Sequence, residues 1–308
     1  MDAVFAVLCP GQGSQTPGLL SPWLTDPAAH HRLTEWSAAA GLNLIELGTR
    51  ADSATIRDTA VAQPLIVATS LLSFQTAADA GHRLPPSFVT AGHSVGEFAA
   101  ATIAGVLSPS EAIRLVAIRG RAMAECAANA PTGMVAVIGG DPEAVEGAVQ
   151  AAGLVVANVN GAGQVVAAGL ESDIARLRPP PSARLRRLDV AGAFHTSYMA
   201  TARDRLARAV ASLPPRPASA ALPVLSCLDG LAITDPATLL DRLVQQVVAP
   251  VRWDLVMRTM SLLPLTLAAE LAPAGVLTGL VRRELPDLPR VKLTDPASAV
   301  DAARQVSA

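Results

Sequence analysis

Short apolar runs alternate with longer stretches of helical spacing along this chain. Val4–Leu8 is apolar and is stopped by Pro10 and Gly11, which predicts a buried strand. Residues 60–80 carry apolar side chains at helical spacing. Phe88–Ala91 reads as a second short strand, and Val95–Ala104 as a helix. Ser108-Pro109-Ser110-Glu111 is a helix start, with Ser108 as cap, Pro109 in the first turn and Glu111 closing a capping box; that helix should run to about Cys126. Asp235-Pro236 and Asp295-Pro296 predict two further helix starts.

The pattern changes between about Gly133 and Val190. "MVAVIGG" reads as strand, "DPEAVEGAVQAAG" as helix, and "LVVANVN" and "GQVVAAG" as two strands about a Gly-rich turn. "LESDIARLRP" then reads as helix and "ARLRRLDVAG" as a last strand. The order β-α-β-β-α-β is that of a ferredoxin-like unit. The expected fold is therefore α/β: a parallel-sheet domain over 1–130 and 195–308, with a ferredoxin-like α+β subdomain inserted over 131–194. "PPPS" (179–182) and "PPRPAS" (214–219) read as loops.

With 308 residues, 51% of them hydrophobic, the chain can bury a large core. A net charge of -2 with 16% charged residues excludes a strongly basic nucleic-acid binder. Cys9, Cys126 and Cys227 form neither a disulfide framework nor a Cys-x-x-Cys zinc pattern. The N-terminal apolar run lacks a basic flank and is too short for a signal or membrane helix. A cytoplasmic protein without membrane contact is expected.

One stretch concentrates chemistry. In "TAGHSVGEF" (90–98), Ser94 stands between Gly92 and Gly96 where a strand gives way to a helix. Such a turn presents a serine hydroxyl at the top of a sheet. Serine becomes a nucleophile only when a base takes its proton. Of the five histidines, His30 and His31 fall in a polar segment read as loop, His82 in a surface turn, and His93 next to Ser94, where it should orient the turn. His195, in "VAGAFHTSYM" at the end of a predicted strand, is the best base candidate. No acidic partner is evident: Asp189 and Asp204 flank it without assured reach, and a main-chain carbonyl could orient the ring instead. "PGQGSQ" (10–15) matches neither the dinucleotide nor the P-loop fingerprint, and is better suited to present amide N–H groups near Ser94. Arg119 lies among Ala112, Ile113, Leu115, Val116 and Ile118, so it should be buried and should want an anionic partner such as a substrate carboxylate.

Taken together, "PGQGSQ", "VAQPL" (61–65), "GHSVGE" (92–97), "RGRAM" (119–123), "NVNGAGQVVAAG" (158–169), "GAFH" (192–195), "PVRW" (250–253) and "LTGL" (277–280) resemble, in that order, the malonyl-CoA:acyl carrier protein transacylases of fatty acid synthesis. The resemblance runs through most of the chain. It implies a hydrolase-like α/β domain with a ferredoxin-like insert, and roles by position. Ser94 would carry the malonyl ester and His195 would be its base, oriented by the carbonyl of Gln246. Gln12 and Val95 would supply the oxyanion-hole N–H groups, and Arg119 would pair with the malonyl carboxylate. Gln63 and Asn160 would line the site. Phe194 matches the bulky residue that, in related acyltransferases of polyketide assembly, goes with malonyl rather than methylmalonyl. The chain departs from the family at Ala249, where asparagine is usual, and at Ala272-Pro273-Ala274, where Gly-Pro-Gly is usual.

The implied reaction is ping-pong: malonyl passes from malonyl-CoA to Ser94 and then to the phosphopantetheine thiol of acyl carrier protein. No metal or redox cofactor is expected, and a monomer suffices. The arginines 176, 178, 184, 186 and 187 could dock an acidic carrier or form a solvated face. Three alternatives share part of this pattern: a free-standing acyltransferase serving a polyketide synthase, a serine esterase that would need neither Arg119 nor the insert, and an interaction protein without catalysis.

Overall fold

The computed structural model describes residues 4–80, 88–190 and 192–307. In chain order the first half contains β1 (Val4–Cys9), α1 (Pro27–Ala40), α2 (Leu44–Arg50), α3 (Thr59–Asp79), β2 (Phe88–Gly92), α4 (Gly96–Ile103) and α5 (Pro109–Ala128). The middle contains β3 (Thr132–Gly139), α6 (Pro142–Ala151), β4 (Val155–Gly161), β5 (Gln164–Leu170), α7 (Glu171–Arg176) and β6 (Ala183–Arg187). The remainder contains α8 (Ala200–Ala211), β7 (Val224–Leu225), β8 (Ala232–Ile233), α9 (Pro236–Gln245), β9 (Val251–Arg252), α10 (Trp253–Ser261), β10 (Leu265–Glu270), α11 (Val276–Glu284), β11 (Arg290–Lys292) and α12 (Pro296–Ser307).

Two sheets organise these elements. The larger has the order β11-β10-β1-β2-β7-β8, parallel except where β8 turns back on β7. β1 and β2 sit at its centre, and β2 is buried along its whole length, as a parallel strand covered on both faces must be. The catalytic end of such a sheet lies beyond the carboxyl ends of its strands, where Gly11–Gln12 follows β1 and Ser94 follows β2. The smaller sheet has the order β6-β3-β5-β4, antiparallel throughout, with β9 added parallel to β4. This is the βαββαβ arrangement expected from the sequence. The fifth strand comes from outside the insert and was not foreseen; two residues carry no periodicity.

Local signals explain where the helices start. The Ser108 hydroxyl accepts from the Glu111 N–H and Glu111 reaches back to the Ser108 N–H, completing the capping box. Asp235 caps α9 at the Thr238 N–H, and Asp295 accepts from the Ser298 N–H at the start of α12. The same Asp-Pro signature at Asp26-Pro27 starts α1, with Asp26 accepting from the Ala28 N–H. His30 and His31 therefore lie on a helix and not in a loop. His82 lies outside the described residues.

α3 is long and apolar enough to span a membrane by length and composition, yet 72% of that window is buried inside the fold. It packs chiefly on α5, which carries Arg119. Cys9, Cys126 and Cys227 are free and buried.

Candidate active site

The turn between β2 and α4 is built around close backbone approach. A Cβ on Gly92 would lie 2.1 Å from the Glu97 nitrogen, and one on Gly96 would lie 2.2 Å from the Cys9 carbonyl oxygen. Glycine is required at both places by packing. Between them Ser94 adopts a left-handed backbone, φ 53°, the strained conformation that lifts its side chain off the strand. His195 also has positive φ, 62°. The side chains of these two residues meet at one point.

At that point Ser94 Oγ lies 2.9 Å from His195 Nε2, and His195 Nδ1 lies 2.9 Å from the Gln246 carbonyl oxygen. With its single proton on Nδ1, the ring donates to the carbonyl and Nε2 is free to take the serine proton. The side-chain nitrogen of Gln246 is also 3.1 Å from Nδ1; it cannot donate to a nitrogen that already carries hydrogen, so the carbonyl is the orienting group in that tautomer. Asp189 and Asp204 play no part: Asp189 pairs with Arg57, and Asp204 with Arg203.

Arg119 lies beneath the nucleophile, 1% exposed. Its Nη2 donates to Ser94 Oγ (3.1 Å) and to Gln246 Oε1 (3.2 Å), while Nε and Nη1 have no partner. A buried guanidinium with unpaired donors is a site for an anion. Burial lowers its pKa to about 10, so it remains cationic at neutral pH. Burial, and then the Arg119 charge, push His195 down to about 3, leaving the imidazole neutral.

The cavity over these groups has a volume of about 210 Å³. Of the residues singled out in the sequence, Gln12, Gln63, Ser94, Val95, Asn160, Phe194 and His195 line it. Arg119 and Gln246 do not line it; they stand behind Ser94 and His195, to which they are hydrogen-bonded. Gln12 is anchored by a bond from its Nε2 to Thr59 Oγ1 (3.2 Å). Gln63 donates to the Met123 sulfur (3.5 Å), and its Oε1, buried, accepts nothing. Asn160 holds His93, Oδ1 to Nε2 at 3.0 Å, and the His93 ring packs on Trp253. His93 therefore orients the turn from the side, joining it to β4 of the small sheet.

Sequence reasoning missed two sets of groups. The cavity walls contributed by Met134, Leu188 and Val190 carry no motif, and Val166 lies in a motif that gave it no role. Glu97, which closes the "GHSVGE" motif but was given no role, is buried and accepts from the Cys227 N–H (2.8 Å). The departures at Ala272-Pro273-Ala274 leave a bonded loop: Ser70 donates to the Ala272 carbonyl (2.7 Å) and the Ala272 N–H donates to Ser73 (3.1 Å).

Comparison with known proteins agrees with this geometry. Residues 6–259 match the family described as acyl transferase domain. Malonyl CoA-acyl carrier protein transacylase of Mycobacterium bovis is 47% identical over 96% of this chain and 97% of its own length. The chain belongs to this acyltransferase family. The corresponding Escherichia coli protein is 32% identical, with 97% of this chain and 98% of that protein covered. The crystal structure of MCAT from Mycobacterium tuberculosis superposes with a TM-score of 0.92 at 46% identity, covering 97% of this chain and 99% of that one. A type II PKS acyl-carrier protein in complex with its malonyl-transacylase is a further structural relative: TM-score 0.91, 29% identity, 98% and 100% covered.

Proposed function

We propose that the protein transfers malonyl from malonyl-CoA to the phosphopantetheine thiol of acyl carrier protein, in support of fatty acid synthesis. The observation that carries this reading is the shared position of Ser94 Oγ, within hydrogen-bond distance of both His195 Nε2 and Arg119 Nη2. A hydrolase needs the first contact. Only an enzyme for a carboxylate-bearing acyl group gains from the second.

His195 takes the Ser94 proton as Oγ attacks the thioester carbonyl, and the Gln246 carbonyl stabilises the imidazolium that forms. The amides of Gln12 and Val95, at the ends of β1 and β2, are the donors proposed for the oxyanion; Val95 stands at the start of α4, whose dipole favours negative charge there. His195 returns the proton to the departing coenzyme A thiol. The malonyl-serine ester waits with its carboxylate on Arg119, and the carrier thiol then attacks it with His195 again as base. Base, donors and cation all come from one chain, so this chemistry calls for no metal, redox group or second copy. Three unpaired cysteines support a cytoplasmic site of action.

A carrier of polyketide synthesis is the second reading, favoured by the structural relative bound to such a carrier. Among the arginines considered for docking, Arg176 pairs with Asp173, Arg187 pairs with Glu171, and Arg178 donates to the carbonyls of Ala175 and Leu177. Arg184 and Arg186 are exposed on β6 and are the residues through which we expect that face to act.

The test is intact-protein mass spectrometry after mixing with malonyl-CoA, followed by holo acyl carrier protein, beside Ser94→Ala. A malonyl adduct that moves to the carrier and is absent in the variant is expected. An adduct lost only to free malonate would indicate a hydrolase.

A further inference from the structure

Behind the nucleophile lies a second buried charge that the reaction above does not use. Glu97 sits in the first turn of α4, three residues after Ser94, and is 1% exposed. One carboxylate oxygen, Oε1, accepts the Cys227 N–H at 2.8 Å, and the other, Oε2, accepts no hydrogen bond. The Cys227 thiol lies between this carboxylate and the Ser94 amide, in the segment that follows β7. Glu97 and Arg119 lie on the packed helices α4 and α5 and meet Ser94 from two sides without forming an ion pair: the Glu97 N–H donates to the Ser94 carbonyl (3.1 Å), and Arg119 Nη2 donates to Ser94 Oγ (3.1 Å). Cys227 and the Ser226 hydroxyl are the other groups that act on the Glu97 carboxylate. His195 faces Arg119 from the cavity side.

Arg119 is equally short of partners. Its Nη2 is engaged by Ser94 and Gln246, neither of them charged, and its Nε and Nη1 are unpaired. A lone buried cation is costly, and an anion in the same low-dielectric region offsets it without touching it. We propose that Glu97 is the counter-ion of Arg119 in the empty enzyme, and that the substrate carboxylate displaces it from this role, with Glu97 taking up a proton from solvent as malonyl binds. This rests on the malonyl-transfer reading above. Glu97 does not touch the acyl group, so it is a positioning residue acting through Arg119.

The direction follows from the ionisation of Glu97. Burial raises its carboxyl to about 7, against the pull of the Cys227 bonds and of the Arg119 charge. A malonyl carboxylate on Arg119 cancels that last pull, so the carboxyl rises further and gains a proton near neutral pH. Malonyl binding is then favoured by acid, and acetyl binding is not. The cavity-side base does not interfere, because His195 titrates near 3.

The experiment measures kcat/KM for loading from malonyl-CoA and acetyl-CoA between about pH 6 and about pH 9, in the wild type and in Glu97→Gln, which keeps an acceptor for the Cys227 N–H. The wild-type malonyl value is expected to fall above about pH 7, by up to about tenfold per pH unit. The acetyl value should stay flat, and Glu97→Gln should flatten the malonyl profile. A purely structural role would lower all values without changing their pH dependence. Should Glu97→Gln fail to fold, calorimetry of malonyl-CoA binding to Ser94→Ala, in two buffers of different ionisation enthalpy, reads the proton directly; uptake is expected, and none overturns the proposal. A wild-type malonyl profile as flat as the acetyl one also overturns it. Failure to form any malonyl-serine adduct would instead remove the transferase reading on which the inference stands.

Discussion

Arg119 and Ser94 are joined by one hydrogen bond, from Nη2 to Oγ at 3.1 Å, and two further Arg119 nitrogens, Nε and Nη1, are buried without a partner. The nucleophile is thereby held against the group that would bind the far end of its acyl cargo. In Arg119→Ala the malonyl carboxylate loses a charge-assisted partner of about 1.5–3 kcal/mol, or roughly 10- to 150-fold in kcat/KM. Acetyl transfer, which offers no carboxylate, should fall much less. Competition between the two acyl-CoAs checks this; equal losses would detach Arg119 from substrate recognition.

His195 sets the pH behaviour of the first half-reaction. An imidazole at its ordinary value of 6.5 would lose base capacity steadily below that pH, whereas burial and the neighbouring Arg119 hold this one near 3. The rate of acetyl-serine formation should therefore be unchanged from about pH 8 down to about pH 5. The same depression acts on stability. The unfolded chain protonates this histidine below 6.5 while the folded one does not, so its contribution is complete above 6.5 and is lost as pH falls toward 3. Single-turnover kinetics and thermal melts in parallel measure the two; a break in the loading rate near 6.5 would show that His195 is more exposed than this geometry allows.

Gly96 bears the tightest contact between the Ser94 turn and β1. A Cβ there would meet the carbonyls of Cys9 and Pro10 at 2.2 and 2.7 Å, and neither backbone group can yield without moving the loop that carries Gln12. Gly96→Ala should cost about 1–3 kcal/mol of stability, and its loading rate should fall further than the loss of folded protein accounts for. Gly147→Ala on α6, where a Cβ meets nothing within 4 Å, is the matched control; it should hold or raise the melting temperature by the equivalent of about 0.5–1 kcal/mol. Calorimetric melts and adduct formation on both variants decide it.

These residues show what the sequence could and could not convey. The Ser94 turn and the Ser108 capping box are local: a few adjacent residues carry the whole signal, and the structure has both. The order of the small sheet was legible because strand and helix periodicities alternate cleanly there. The pairing of Ser94 with His195, 101 positions apart, could be reached by eliminating other histidines. The carbonyl of Gln246 could not be found that way, because every residue carries a carbonyl and only the fold selects one. It came from resemblance alone. Glu97 escaped for a related reason. An acidic residue in a first helical turn is ordinary on a surface, and only the packing of the Cys227 segment over it makes it a buried charge.

Phe194 offers the sharpest question about substrate choice. It lines the cavity next to His195, is 5% exposed, and its ring edge would stand 3.4 Å from a Cβ placed on Gly192. The ring is part of the buried core, so a branch on the acyl carbon finds room there only by displacing it. A methyl group there must either overlap the ring or displace it, and forced overpacking costs about 1–3 kcal/mol. Malonyl-CoA should accordingly outcompete methylmalonyl-CoA by roughly 5- to 150-fold. Phe194→Ser, which opens that wall, should narrow the ratio mainly by raising methylmalonyl loading. A competition assay read by mass spectrometry of the Ser94 adduct gives both numbers. Comparable wild-type rates for the two acyl groups would mean that the methyl branch points away from Phe194, toward the Met134 and Val166 wall of the small sheet.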